Sequence, residues 1–285
     1  RTGQPMSGCR FALRLGDPGY PQLLAASPDP PPVIYGIGDP GALAPGLAVV
    51  GARRATPYGL RCTRLFAGWV ASRGMTVISG AAMGCDLEAH RAALEAGGAT
   101  VAVLGCGPDV DYPRRSAEAL AVMRRDHAVI SELPFGREPT RWSFARRNRV
   151  IAGLARAVLV VEAGLPSGTF STADAALDAG RDVLAVPGSI FSPESRGSNR
   201  LIRQGATPVT DVAELAQHLG LESHVLEHTY TGSDTVMRAL AADPMRPDDL
   251  ARTLGIDIVD AGRTLGTLEA MGAIVRFPDG RYGLG

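Results

Sequence analysis

The chain contains no lysine: all 29 of its basic residues are arginine. That absence excludes a Walker A lysine, a Schiff-base lysine and a catalytic lysine. Net charge is also absent, with 29 basic residues set against 29 acidic ones. No global field then attracts a polyanion, and any basic site must come from local clustering. No apolar run approaches the roughly 20 residues of a membrane-spanning helix, and no signal-peptide pattern is present, so no membrane partner is expected. The four cysteines, Cys9, Cys62, Cys85 and Cys106, form no C-x-x-C pair. They suit neither a disulfide framework nor a zinc site, and they fit a reducing cytoplasm. At 45% apolar and 20% charged residues the composition is that of an ordinary globular chain.

The stretch that organises the rest is LAVVGARRATPYG, residues 47–59. A short apolar run is followed by Gly51, then Arg53 and Arg54, and Pro57 suits the first turn of a helix. This predicts a strand, a tight turn and a helix N-terminus, the opening step of a doubly wound sheet. A dinucleotide-binding loop would carry G-x-G-x-x-G here. One glycine and two arginines suit phosphates held by guanidinium groups better than a pyrophosphate pressed on bare backbone. A surface turn with two solvated arginines is the plainer alternative.

From residue 47 the pattern alternates. Strands are expected at 47–50, 75–79, 100–104, 128–131, 157–162 and 182–186. Helices are expected at 58–73, 86–97, 116–126, 146–154, 171–179, 198–204 and 211–218. Spacing of this kind argues an α/β fold: an extended, Rossmann-like, doubly wound, mostly parallel sheet over residues 45–220. Residues 1–44 are rich in proline and glycine and are expected as a partly ordered lead-in, with an edge strand at 33–35. Residues 221–232 are expected as a linker. Residues 233–285 hold three short helical patterns, the first capped by Ser233 or Asp234 and the third over 259–271, and then AIVRFPDGRYGL with a Pro278-Asp279-Gly280 turn. That is a small C-terminal winged-helix pattern. Its third helix carries Arg263 against Asp260 and Glu269, which favours protein contact over duplex reading.

Several stretches carry chemistry. His224-Val225-Leu226-Glu227-His228 matches H-x-x-E-H, but no third ligand is evident, and neither a metal nor another cofactor is expected. Asp86 and His90 share a helix face and suit either an acid/base pair or capping and packing. Cys106 sits between two glycines at a strand end, with no nearby histidine to activate it. Ser167, Gly168 and Thr169 open a helix and suit either a phosphate seat or a cap. The strongest signal is REPTRWSFARRNR, residues 137–149. It holds five arginines and one glutamate, with Trp142 and Phe144 among them. Arginines with interleaved rings suit a single nucleic-acid strand, phosphates to the guanidiniums and bases to the rings. The alternative is a solvated basic loop whose rings turn into the core.

Taken together, VGARRATPYG, SGAAMGCD with the later His90, AVLGCGPDVDYP, FARRNRVIAGLA, VVEAGLPSGTFSTA and VPGSIFSPESRGSNRLI make the chain resemble the DNA-processing protein A family (DprA, also called Smf). The likeness covers about residues 17–220, and a winged helix is the family's common C-terminal addition. It implies a Rossmann-like domain that binds and protects single-stranded DNA, forms a homodimer and hands the strand to RecA recombinase in natural transformation and recombination. It implies no catalytic activity. By the same resemblance Arg53 contacts phosphate, Arg141 is the basic residue before the aromatic, Phe144 is that aromatic, and Arg147 and Asn148 are the R-N pair. Gly168 and Thr169 match the S-G-[ST] turn. Arg54, Arg146 and Ser167 join the expected DNA-binding set as their neighbours. Departures are Ala145 for the usual proline, Met83 for a basic residue, Cys85 for isoleucine, and SGTFSTA for the usual turn. The alternative is a nucleotide-binding or nucleoside-monophosphate phosphoribohydrolase-like enzyme, for which Pro166-Ser167-Gly168-Thr169 supplies only part of the signature.

Overall fold

Short valine- and alanine-rich runs, each followed by a turn and a helical period, bury both faces only inside a parallel sheet covered on both sides. The structure, a computed structural model that describes residues 8–221 and 232–284, has that architecture. In chain order the first unit runs β1 (Arg10–Arg14), α1 (Gln22–Ala25), β2 (Val33–Gly38), β3 (Gly46–Val50), α2 (Pro57–Ser72), β4 (Val77–Ser79), α3 (Cys85–Glu95), β5 (Thr100–Val103), α4 (Ala117–Asp126) and β6 (Ala128–Ser131). It continues with α5 (Arg141–Leu154), β7 (Ala155–Val160), α6 (Thr169–Asp178), β8 (Asp182–Ala185), α7 (Arg196–Arg203), β9 (Thr207–Pro208) and α8 (Val212–Leu219). The strands make one sheet in the order β1-β2-β6-β5-β4-β3-β7-β8-β9.

Side-chain alternation divides the core. Ala48, Val50, Val158 and Val160 face one helical layer, and Leu47, Val49, Ala157 and Leu159 face the other. Pairing is parallel from β6 through β9, and β2 runs antiparallel to both β1 and β6.

Three expectations are corrected. Residues 10–44 are part of the sheet and not a lead-in. The strand expected at an edge over 33–35 is interior: Tyr35 pairs with Ser131 on one side and Ala12 on the other, and β1 takes the edge. The cause is burial. Tyr20, Leu24, Ile34 and Leu43 join the same apolar cluster as Val50 and Val160. The prolines fall between the strands, where they break no ladder. The helix expected at 146–154 starts five residues earlier, at Arg141. Thr140 and Ser143 form a capping box, each side chain bonded to the other's backbone N–H.

The chain divides near residue 223 into two compact units. The second has helices α9 (Gly232–Ala242), α10 (Pro247–Leu254) and α11 (Ile258–Ala270), then a hairpin of β10 (Val275–Arg276) and β11 (Tyr282–Gly283). Val236, Leu240, Leu250, Leu265, Leu268 and Ile274 form its core. The three-helix-and-hairpin pattern is the one read from the sequence. The expected linker, apart from Leu221 and Gly232, lies outside the described residues, as do the H-x-x-E-H pentapeptide and the side chains of Ser233 and Asp234. Among the described residues no helix is long and apolar enough to cross a membrane.

Candidate nucleic-acid interface

The carboxyl ends of parallel strands gather loops and helix N-termini, which favours anions there. Here the loops after β3, β4, β5 and β7 meet the N-terminal half of α5. The loops after β3, β4 and β7, with α5, enclose a cavity of about 560 Å³, lined by residues that include Arg53, Arg54, Phe144, Asn148 and Thr169.

The loop after β3 is held from below. Thr56 caps α2 by accepting the Gly59 N–H, and it also donates its own N–H (2.8 Å) and hydroxyl (2.6 Å) to the carboxylate of Glu162. Glu162 is buried at the end of β7. Arg53 and Arg54 stand above this tie, both exposed. Among the described residues neither pairs with a carboxylate.

Phe144 is half-buried. Its ring lies 5.3 Å from that of Tyr112, tilted by 36°, and the Arg53 guanidinium lies 5.7 Å from its centroid. Gly105 makes room for the ring, since a Cβ there would stand 2.9 Å from it. Arg53, Phe144 and Arg147 also line a smaller cavity of about 90 Å³, closed by Met83, Leu104 and Tyr112.

Arg147 lies deeper than its neighbours in sequence and is 5% exposed. Its Nη1 donates to the carbonyls of Gly80 (2.7 Å) and Val103 (2.5 Å), and its Nε donates to Asn148 Oδ1 (3.1 Å). Asp86 is buried beside it. Burial pushes the Asp86 carboxyl up and the Arg147 guanidinium down, each opposed by the attraction of the other. Asn148 Nδ2 donates to Ser171 Oγ (2.7 Å), tying α5 to α6. Through Arg147 Nη1 and Nε and Asn148 Nδ2, these two residues hold the frame of the cavity.

In the turn before α6, the Ser167 hydroxyl accepts the Thr169 N–H (3.2 Å) and bonds its hydroxyl (3.0 Å). Ser167, Gly168 and Thr169 therefore form a helix start, with Gly168 at the N-cap, that opens into the cavity.

The structure brings together Arg53, Arg54, Phe144, Arg147, Asn148, Ser167, Gly168 and Thr169. Arg141 and Arg146 are not in the lining. Arg141 is exposed in the first turn of α5, and Arg146 pairs with Glu132 at 3.0 Å. Tyr112 was missed from the sequence. Its signal was an aromatic within the glycine-rich loop after β5, at the same sheet edge as the arginines. Asp86 and His90 do not form a pair. His90 donates from Nδ1 to Thr100 Oγ1 (2.7 Å), which itself donates to the Val77 carbonyl. Burial pulls the imidazole down to about 3. Cys106 is buried, and burial pushes its thiol up to about 11. Cys85 packs in the core with Val49 and Ala89. What remains at the cavity is two unpaired guanidiniums, an aromatic face and a helix start, an arrangement suited to a phosphate beside an unpaired base.

The family model for DNA recombination-mediator protein A matches residues 11–220, and that for the DprA winged helix domain matches residues 226–280. Protein Smf of Escherichia coli (strain K12) is 40% identical over 276 residues, 92% of this chain and 74% of that protein. DNA processing protein DprA of Bacillus subtilis (strain 168) is 36% identical over 202 residues, 70% of this chain and 68% of that one. Among solved structures, DNA processing protein A from Streptococcus pneumoniae is similar with a TM-score of 0.70, at 36% identity over 75% of each chain. The Helicobacter pylori protein, solved for its single-stranded DNA binding mode, is similar with a TM-score of 0.67, at 28% identity over 74% of this chain and 95% of that one.

Proposed function

Since the chain belongs to the DNA recombination-mediator protein A (DprA/Smf) family, we propose that its sheet-edge cavity binds single-stranded DNA. The observation that carries this reading is the pairing of Phe144 with Arg53, a ring face beside an unpaired guanidinium at the open end of β3. A base stacks on Phe144, and the adjoining phosphate is neutralised by Arg53 and Arg54. The start of α6 at Ser167–Thr169 takes the next phosphate through backbone N–H groups and hydroxyls. Arg147 and Asn148 contribute by fixing α5 against the strand ends and α6. Duplex DNA keeps its bases stacked and paired, so it cannot present one to the ring.

We read the protein as a binding protein and not as an enzyme. Its place in the cytoplasm, its homodimer, its protection of incoming strands in natural transformation and its loading of RecA recombinase are parts of the same proposal. Family membership supports them.

Competition titration tests the core of the reading. A labelled single strand should be displaced by unlabelled single strands of any sequence, and poorly by duplex of equal length. Equal competition by duplex would overturn the stacking argument.

A further inference from the structure

Trp142 is one of two tryptophans in the chain and is 85% exposed. The other, Trp69, is half-buried and has the Arg73 guanidinium 5.5 Å from its ring centroid. Trp142 joins none of the ring or guanidinium contacts among the described residues. Burying an aromatic side chain removes about 150–250 Å² from water, and the fold of this unit leaves nearly all of the Trp142 surface unused.

Its position relates it to the cavity. Trp142 lies in the first turn of α5, three residues before Ala145, which is exposed and lines the cavity. Residues three apart are neighbours on a helix surface. A chain leaving the cavity over Ala145 toward the helix N-terminus therefore reaches Trp142. Arg141, beside it, is three residues before Phe144, is exposed, and has no ion-pair partner among the described residues. The exit thus carries a ring and a cation, the same pair of groups that Phe144 and Arg53 present inside.

We propose that Trp142 is a second stacking platform: a strand leaving the cavity continues along the first turn of α5, with a base on the indole and a phosphate at Arg141. This rests on the single-strand reading above and extends the bound segment beyond the cavity. A short strand fills the cavity alone, while a longer one also covers the indole.

Oligothymidylates of graded length, titrated into the full chain, provide the test. Trp69→Phe leaves Trp142 as the sole indole, and its emission should be quenched once the strand outgrows the cavity. In Trp142→Phe, which retains only Trp69, that quenching should vanish. Trp142→Ala should weaken long-strand binding about tenfold, within the roughly 5- to 150-fold that one stacked base represents. Short-strand affinity and melting temperature should stay unchanged, and Trp142→Phe should restore most of the long-strand affinity. The inference fails if Trp142→Ala binds long strands like the parent protein, or if the Trp69→Phe protein saturates with no change in emission. If the parent protein binds no oligothymidylate, the single-strand reading itself falls. If Phe144→Ala weakens binding and Trp142→Ala does not, only this inference falls.

Discussion

Arg147→Met separates a frame residue from one that touches the strand. The substitution preserves an unbranched apolar stem and removes the guanidinium. Three things then happen inside the first unit. Asp86, 6% exposed, loses its buried counter-charge. The Gly80 and Val103 carbonyls lose the Nη1–H donor. Asn148 Oδ1 loses the Nε–H, which slackens the strut to Ser171. Breaking one side of a buried pair costs about 3–5 kcal/mol, much of it the penalty of leaving a charge unpaired. For a unit of this size each kcal/mol is worth about 2–4 °C, so the melting transition should fall by roughly 6–20 °C. The drop should be little affected by salt, because buried pairs are poorly screened. Adding Asp86→Asn removes the stranded charge while keeping one acceptor oxygen for the surrounding amides. The double variant should therefore recover part of the loss, with a coupling of about 0.5–3 kcal/mol in a double-mutant cycle. Thermal unfolding followed by circular dichroism reads all of this. A variant that melts like the parent while losing strand affinity would show that Arg147 touches the strand, and the frame assignment would be wrong.

Two further outcomes follow from the same geometry. Arg53→Ala should weaken strand binding and flatten its log–log salt slope by about 0.7 for each phosphate no longer neutralised, whereas Phe144→Ala should cost about 1–3 kcal/mol with the slope nearly unchanged. A salt-series titration with melting controls distinguishes them, and an Arg53→Ala protein that matches the parent at every salt would remove the first loop from the site. His90 is held neutral in the folded chain down to about pH 3, while in the unfolded chain it takes up a proton below about pH 6.5. Its contribution to stability is therefore complete above pH 6.5 and is lost at up to about 1.4 kcal/mol per pH unit as pH falls toward 3. Denaturant unfolding at stepped pH should show that slope reduced in His90→Gln; an unchanged slope would contradict the buried neutral assignment.

The parallel strands β3 to β8 were legible because each is a valine- or alanine-rich run, most of them followed closely by glycine, and most of the helices between them have an apolar stripe; the two-residue β9 was not. Residues 10–44 were not. Their antiparallel pairing joins Tyr35 to Ser131 across almost a hundred positions, and a local proline-rich composition carries no trace of such a partner. The first turn of α5 was hidden differently. RWSFARR lacks apolar periodicity, and its only start signal was Thr140 with Ser143 three residues on, a box made with serine where glutamate or glutamine is the usual cue. The arginine and phenylalanine of the site were visible as residue types. Their division of labour was not, because burial cannot be read along RRNR: Arg146 pairs at the surface, Arg147 goes inside, and Arg149 reaches Glu132 and Asp29.

Gly84 bears on what this site can become. Its φ of +79° and the carbonyl of Ala52, 2.1 Å from where a Cβ would stand, leave no room for any side chain. The loops after β3 and β4 therefore touch backbone to backbone, while the first is tied underneath to Glu162. Loops locked in this way tolerate neither insertion nor deletion, so variation in ligand preference is confined to exchange of side chains such as Arg53, Arg54 and Met83. The loop after β8 is pinned at its base, where the Tyr58 hydroxyl donates to the Pro187 carbonyl and Asn199 pairs with Gly188, and only its tip, with Ile190 and Phe191 79% and 89% exposed, stands clear. Libraries meant to retarget the cavity should keep the length of the first two loops and vary their side chains, and place length changes only at the tip of the loop after β8.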